Sequence, residues 1–203
     1  MSELSERQQE IITAAIHIIA EQGFQDLSLR NLAERVGVSE PALYRHFENK
    51  DDLLLKLVTF IVQNYTEVMR QIKAPQQPAL QEIEQMLQRA VQFFAELKPF
   101  STTLYAAAAF YHKPELIEQI QSVVRVSSDR LDELLQRGQR EGDVRRDLPS
   151  RQMAVILMGT FRLLLEQWNW ARRHFDLEAE WERHWDVLKV MVTGQTASSV
   201  DLC

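Results

Sequence analysis

In this chain of 203 residues no segment alternates apolar and polar side chains for long, and the extended apolar patterns repeat at three- and four-residue intervals. A half-buried strand needs a period of two, so the long segments have to fold as helices that bury one stripe each. The first, about residues 6–22, carries Ile12, Ala15, Ile16 and Ile19 on one face, and Gly23 after it suits a left-handed C-terminal cap. Two short helices follow, each opened by a residue whose side-chain oxygen can accept from a helix-terminal amide: Ser28 before "LRNLAERV" and Ser39 before "EPALYRHF". Asn49 opens a longer run in which Leu54, Leu57, Ile61, Tyr65, Val68 and Ile72 keep an apolar stripe, until "KAPQQPA" interrupts it twice with proline.

Roughly five further helical segments follow by the same periodicity, starting near Leu80, near Pro99, after Pro114, near Pro149 and near Glu178. "GQREGDVRRDLP" (138–149) reads as a loop because of its glycines, charges and final proline. The expected architecture is all-α, with a small N-terminal part and a larger C-terminal one. Hydrophobic residues at 45% and charged residues at 26% provide for an ordinary water-surrounded core. The apolar runs "MAVILMG" and "TLYAAAAFY" fall well short of the roughly 18 residues that span a bilayer, and "MSELSERQQE" lacks the order of an export signal. With Cys203 the only cysteine, no internal disulfide can form, so a soluble cytoplasmic protein without a membrane partner is expected.

Two short helices meeting at a steep angle need a small residue where their backbones approach and a permissive one where the chain turns. Ala33 and Gly37 meet these needs, and Val38 and Leu43 can plug the angle from the second helix. This is the layout of a helix-turn-helix, whose second helix lies in the DNA major groove. Pro41 is tolerated in a first turn, and the leading amides beside it can face a phosphate. Lys50 opposes the dipole of the helix it begins, while Asp51 and Asp52 complement it; a nearby phosphate would resolve the conflict. The charge objection stands beside this: 23 basic against 29 acidic residues give a net charge of −6, and DNA-binding domains are usually basic. Residues 28–50 are close to balanced, with Arg30, Arg35, Arg45 and Lys50 against Glu34, Glu40 and Glu48. A plain helical corner, with Tyr44 and Phe47 packed inward and His46 and Lys50 solvated, fits the same spacing.

The segment "TAAIHIIAEQGFQDLSLRNLAERVGVSEPALYRHFENKDDLL" (13–54) closely resembles the DNA-binding segment of the TetR family of bacterial transcriptional regulators. The likeness covers the first helix, the glycine and aromatic after it, the helix-turn-helix, and "LYRHF" with its Asn-Lys junction. It implies a DNA-binding domain over 1–50 and a regulatory domain over 51–203, entered by a long connecting helix. Arg30 matches a position that reaches a base or phosphate. Ser39, Glu40, Pro41 and Ala42 match the start of the recognition helix, where base edges are read. Tyr44, His46 and Lys50 match the phosphate contacts that fix register. Glu40 departs from relatives that carry an amide or a basic residue there; a carboxylate can only accept, which suits a cytosine amino group or solvent.

The resemblance also implies a two-fold dimer joined through the last two long helices, with an effector cavity in the rest of the bundle. "MAVILMGTFRLLLEQWNWARR" fits such a place, being apolar almost all round at first, with Arg162, Glu166, Asn169 and Arg173 forming a polar stripe later. Trp181, Trp185, Leu188 and Val192 share a face that either joins this interface or packs within the chain. Phe94, Phe100, Tyr105, Phe110, Met158, Phe161 and Trp168 are the candidates to line a cavity for a small apolar or amphipathic effector, each with plain core packing as the alternative. No nucleophile with a base, no cofactor loop and no metal-ligand spacing is present, His174 and His184 included. The expectation is a non-enzymatic, cofactor-free, ligand-responsive repressor that binds double-stranded DNA at a near-palindromic operator as a homodimer. The C-terminal half is also loosely similar to nucleoid-occlusion regulators of the same superfamily, which act through a protein partner.

Overall fold

The computed structural model describes residues 4–23, 26–71, 77–96, 114–171 and 174–194. Among them the secondary structure is eight α-helices: α1 (Glu6–Gln22), α2 (Leu29–Val36), α3 (Glu40–Leu43), α4 (Lys50–Arg70), α5 (Ala79–Glu96), α6 (Pro114–Glu141), α7 (Ser150–Trp170) and α8 (Leu177–Thr193). The segment expected near Pro99 lies outside the described residues, as do Ile72 and Arg173. The chain forms two compact units, Met1–Glu67 with Glu96–Val123, and Val68–Ala95 with Val124–Cys203.

In the first unit α1 opens with a reciprocal capping box: the Gln8 amide donates to Ser5 Oγ at 3.3 Å and the Ser5 amide to Gln8 Oε1 at 3.0 Å. Ile12, Ala15, Ile16 and Ile19 are buried as their spacing predicts, and Ile11 and Ile18 widen the stripe. They pack with Leu29, Leu32 and Ala33 of α2, Leu43, Phe47, and Leu53, Leu54, Leu57, Val58 and Ile61 of α4. Burying such side chains stabilises by about 1.5–3 kcal/mol each relative to exposure. Gly23 differs from the expected left-handed cap: at φ 100°, ψ 164° it is extended with a positive φ, although its amide still closes α1 on the Ile19 carbonyl at 3.0 Å.

In the second unit, carboxylates hold the start of α5. Glu141 accepts from the Ala79 amide at 3.2 Å and Asp143 from the Leu80 amide at 3.1 Å, placing negative charge where the helix dipole favours it. One turn on, the buried Glu82 is clasped by Arg130 and Arg137. The loop expected from 138 begins later, because α6 continues to Glu141. Gly138 there makes room and does not break the helix: a Cβ on it would lie 2.4 Å from Val144 Cγ2 and 2.8 Å from Asp143 Oδ1. The turn itself falls at Gly142, φ 96°.

Candidate nucleic-acid interface

The corner is built from its caps. Ser28 Oγ accepts from the Asn31 amide at 3.1 Å and starts α2. At its other end the Val38 amide reaches the Ala33 carbonyl at 3.0 Å and the Gly37 amide the Glu34 carbonyl at 3.3 Å. This is the paired closure that needs a left-handed residue, and Gly37 is one at φ 73°, ψ 34°. Ala33 is buried at the approach of the helices, Leu43 is fully buried, and Val38 is packed against the same core. Arg35 ties α2 to α1 through two bonds to Glu21, of 2.9 and 2.7 Å. Those bonds hold the Glu21 carboxyl below its usual range and raise the Arg35 guanidinium.

Beyond the turn the structure departs from the sequence reading in two ways. Ser39 stands at the N-cap position with extended backbone, yet its side chain makes no capping bond. Pro41 has no amide to donate, and the Ala42 amide donates to the Ser39 backbone carbonyl at 2.9 Å, so neither usual donor is available. The α-helical stretch is also only Glu40–Leu43, where "EPALYRHF" was expected. After it the bonds tighten to the i, i+3 type, Arg45 to Ala42 at 3.3 Å and His46 to Leu43 at 2.9 Å, before Phe47 returns to Leu43 at 3.0 Å. The tightening brings Phe47 into the core just ahead of the Asn49 cap, whose Oδ1 accepts from the Asp52 amide at 2.9 Å. A single α-helical turn has little dipole, so anion attraction by its leading amides is weaker than the sequence suggests.

The residues expected at DNA fall on this segment and on α2. Arg30 is exposed and paired with Glu34 at 3.3 Å. Ser39, Glu40 and Pro41 are exposed, and Ala42, His46 and Lys50 are half-buried. Tyr44 is 51% exposed while Phe47 is 1% exposed, so the two aromatics of "LYRHF" point opposite ways and the corner with both inside is not the one formed. Arg45 is exposed beside Tyr44, inside the same pentapeptide.

In the second unit Phe94, Phe161 and Trp168 are buried and Met158 is half-buried. Phe94 and Phe161 lie 5.8 Å apart, and Phe161 meets Trp181 edge-on at the same distance. Trp168 is held by its indole N–H, which donates to the Phe175 carbonyl at 3.0 Å. Phe100, Tyr105 and Phe110 lie outside the described residues. Trp181, Trp185, Leu188 and Val192 are all buried within the chain, so the intramolecular alternative holds for them. Exposed apolar side chains of this unit include Val124 and Val126 on α6, Val155, Ile156, Leu163 and Trp170 on α7, and Val187 and Val190 on α8. Among the described residues no helix is long and apolar enough to cross a membrane, and no group of three His, Cys, Asp or Glu is placed to hold a metal ion.

A left-handed corner that turns a short helix outward ahead of a long one defines a helix-turn-helix protein. Residues 11–57 match the bacterial regulatory proteins of the tetR family, and residues 80–193 match the C-terminal region of MAATS-type transcriptional repressors. The chain belongs to the TetR family of transcriptional regulators. It is 27% identical over 183 residues to the HTH-type transcriptional regulator AcrR of Shigella flexneri, covering 88% of this chain and 85% of that one. It is 26% identical over 196 residues to the nucleoid occlusion factor SlmA of Vibrio vulnificus, covering 94% and 98%. Its fold is similar to that of the transcriptional regulator FadR from Bacillus subtilis in complex with stearoyl-CoA, with a TM-score of 0.69 at 22% identity, covering 93% and 99% of the two chains.

Proposed function

We propose that this regulator is a cytoplasmic, ligand-responsive repressor that binds a near-palindromic operator as a homodimer, with residues 1–50 meeting DNA and 51–203 forming the regulatory part. The observation that carries the DNA assignment is the split of the two aromatics past Gly37. Phe47 anchors the segment in the core and leaves the Tyr44 ring, with Arg45 beside it, facing outward. In this reading Tyr44, Arg45, His46 and Lys50 meet phosphates, Ala42 and Ser39 face base edges, and Arg30 reaches the backbone or a base. Glu40 either accepts from a cytosine amino group or stays in solvent.

The dimer is supported by the apolar residues left uncovered on α7 and α8. Gly159 lies between Ile156 and Leu163 on the uncovered face of α7 with no atom within 4 Å of where a Cβ would stand, which admits a second helix closely. The buried aromatics of the second unit support an apolar or amphipathic effector, and the stearoyl-CoA of the Bacillus subtilis relative makes a long-chain acyl thioester the first ligand to try. Such a ligand releases DNA only as far as it binds the DNA-incompetent conformation more tightly. A second reading, chromosome-wide binding with output through a protein partner, is favoured by the likeness to SlmA over nearly its full length.

The test is genome-wide mapping of bound sites followed by titration of the recovered sequence at several salt concentrations. One or a few palindromic sites beside regulated genes support repression; many scattered sites support the second reading. Tyr44→Ala and Lys50→Ala should weaken binding to operator and random DNA alike, each lowering the salt slope by about 0.9 per phosphate lost. Ala42 variants should shift base preference. Wild-type affinity in both Tyr44→Ala and Lys50→Ala would remove the phosphate assignment.

A further inference from the structure

The segment that ends the helix-turn-helix is fastened to α1 and α4, chiefly at the His46 carbonyl. The carbonyl oxygen of His46 accepts from Gln8 Nε2 of α1 at 3.1 Å and lies 3.3 Å from Lys56 Nζ of α4. The same ammonium stands 5.3 Å from the centre of the buried Phe47 ring and 2.7 Å from Asp52 Oδ2. Asp52 in turn accepts from the Glu48 amide at 3.0 Å. The Lys56–Asp52 pair therefore holds residues 46, 47 and 48, the cation at His46 and Phe47 and the carboxylate at Glu48, the three that follow Tyr44 and Arg45 and precede the Asn49 cap. The Lys56 and Asp52 side chains are 31% and 20% exposed, so water screens this clasp only in part.

We propose that Lys56 and Gln8 are positioning residues for DNA binding: they hold the His46 carbonyl between α1 and α4, so that the Tyr44–Asn49 segment is already ordered before it meets a duplex. Neither residue has to touch DNA in this role. A segment ordered in the free protein does not lose conformational freedom on binding, and that freedom otherwise subtracts from affinity. The arrangement explains how a helix of one α-helical turn followed by i, i+3 bonds can present a tyrosine reproducibly. The proposal rests on the DNA-binding reading above and adds a division between residues that contact DNA and residues that set their place.

Two variants test it. Lys56→Met keeps the apolar stem and removes the cation. Gln8→Glu keeps the oxygen that the Ser5 amide uses but replaces the donor facing His46 with a carboxylate. In the protein without DNA, both should speed amide exchange across residues 44–49 while leaving the amides of Ile12 and Ile16 as slow as in the wild type. Operator affinity should fall about tenfold in Lys56→Met, the size expected for losing one charge-assisted hydrogen bond. The full salt slope should remain, because the phosphate contacts still form after the segment orders, and Lys56→Arg should recover most of the loss. A slope lower by about 0.9 in Lys56→Met would make Lys56 itself a phosphate contact and overturn the proposal. Unchanged exchange at 44–49 in both variants would overturn it as well, as would operator affinities within twofold of wild type. Should Lys56→Met not fold, Gln8→Glu carries the exchange and affinity readings, and Lys56→Arg the slope. A wild-type protein that binds no DNA sinks the functional reading instead, and the exchange arm, which uses no DNA, still decides whether the clasp orders the segment.

Discussion

Replacing Gly37 by alanine tests what the corner requires of its turn. The backbone there is left-handed, φ 73°, ψ 34°, which costs an L-residue with a Cβ roughly 1–2 kcal/mol. Space is not the obstacle, since an added Cβ meets no atom within 4 Å. Alanine also stiffens the unfolded chain, which returns about 0.4–1 kcal/mol, so the net loss should be on the order of 1 kcal/mol. Asparagine, which tolerates this region through local hydrogen bonding, should lose less. Valine should lose more, because its branched Cβ makes a positive φ a true outlier. All four tryptophans, Trp168, Trp170, Trp181 and Trp185, lie in the other unit, so urea unfolding has to be followed by far-UV circular dichroism and not by intrinsic fluorescence. The comparison is valid at constant m-value. The expected order is Gly, Asn, Ala, Val. Alanine equal to glycine, or asparagine below alanine, would show that the left-handed conformation is not what this residue supplies.

The Glu21–Arg35 pair gives a pH dependence of fixed sign. The Glu21 carboxyl is depressed by its bonds from Arg35, so its contribution is complete above the ordinary glutamate range and is lost as pH falls through the lowered folded value. Glu21→Gln should flatten that part of the acid limb of stability against pH, by little, because both groups are exposed to water and salt; an identical acid limb in the variant would contradict the assignment. For assembly, Leu163→Glu or Val187→Glu places a charge on the uncovered face of α7 or α8 and should yield a monomer by light scattering with greatly weakened operator binding, whereas an intact dimer in both would move the interface elsewhere. Gly138→Ala should destabilise by about 1–3 kcal/mol through overlap with Val144, and Gly138→Ala combined with Val144→Ala should recover part of it; equal melting of wild type and Gly138→Ala would refute the close approach.

Local chemistry explains which features were legible. Ile12, Ile16, Leu43, Leu54 and Leu57 could be placed in the core from spacing alone, because a helix in water has one stable way to turn such a stripe. Gly37 was legible because few residues accept its conformation. Spacing alone does not separate Tyr44 from Phe47, since three residues apart they share a face in a regular helix, and only the family resemblance sets Tyr44 outward; they diverge here because the turn after Leu43 tightens. Gly138 read as a breaker because sequence shows a missing side chain but not the Val144 methyl that occupies its space. On α8 the large residues Trp181, Trp185, Leu188 and Val192 outweighed Val187 and Val190, and periodicity cannot say whether the partner of an apolar face is its own chain or another.

One consequence follows from the idle hydroxyl of Ser39. In most helices the residue at that place is conscripted by folding, and exchanging it for alanine costs about 1 kcal/mol. Here Pro41 and the Ser39 carbonyl have already dealt with the amides it would serve. Under the proposed DNA reading, the position is free to vary with the operator while the scaffold stays as firm as before, so a lineage of such proteins could acquire new target sites there without a compensating change elsewhere.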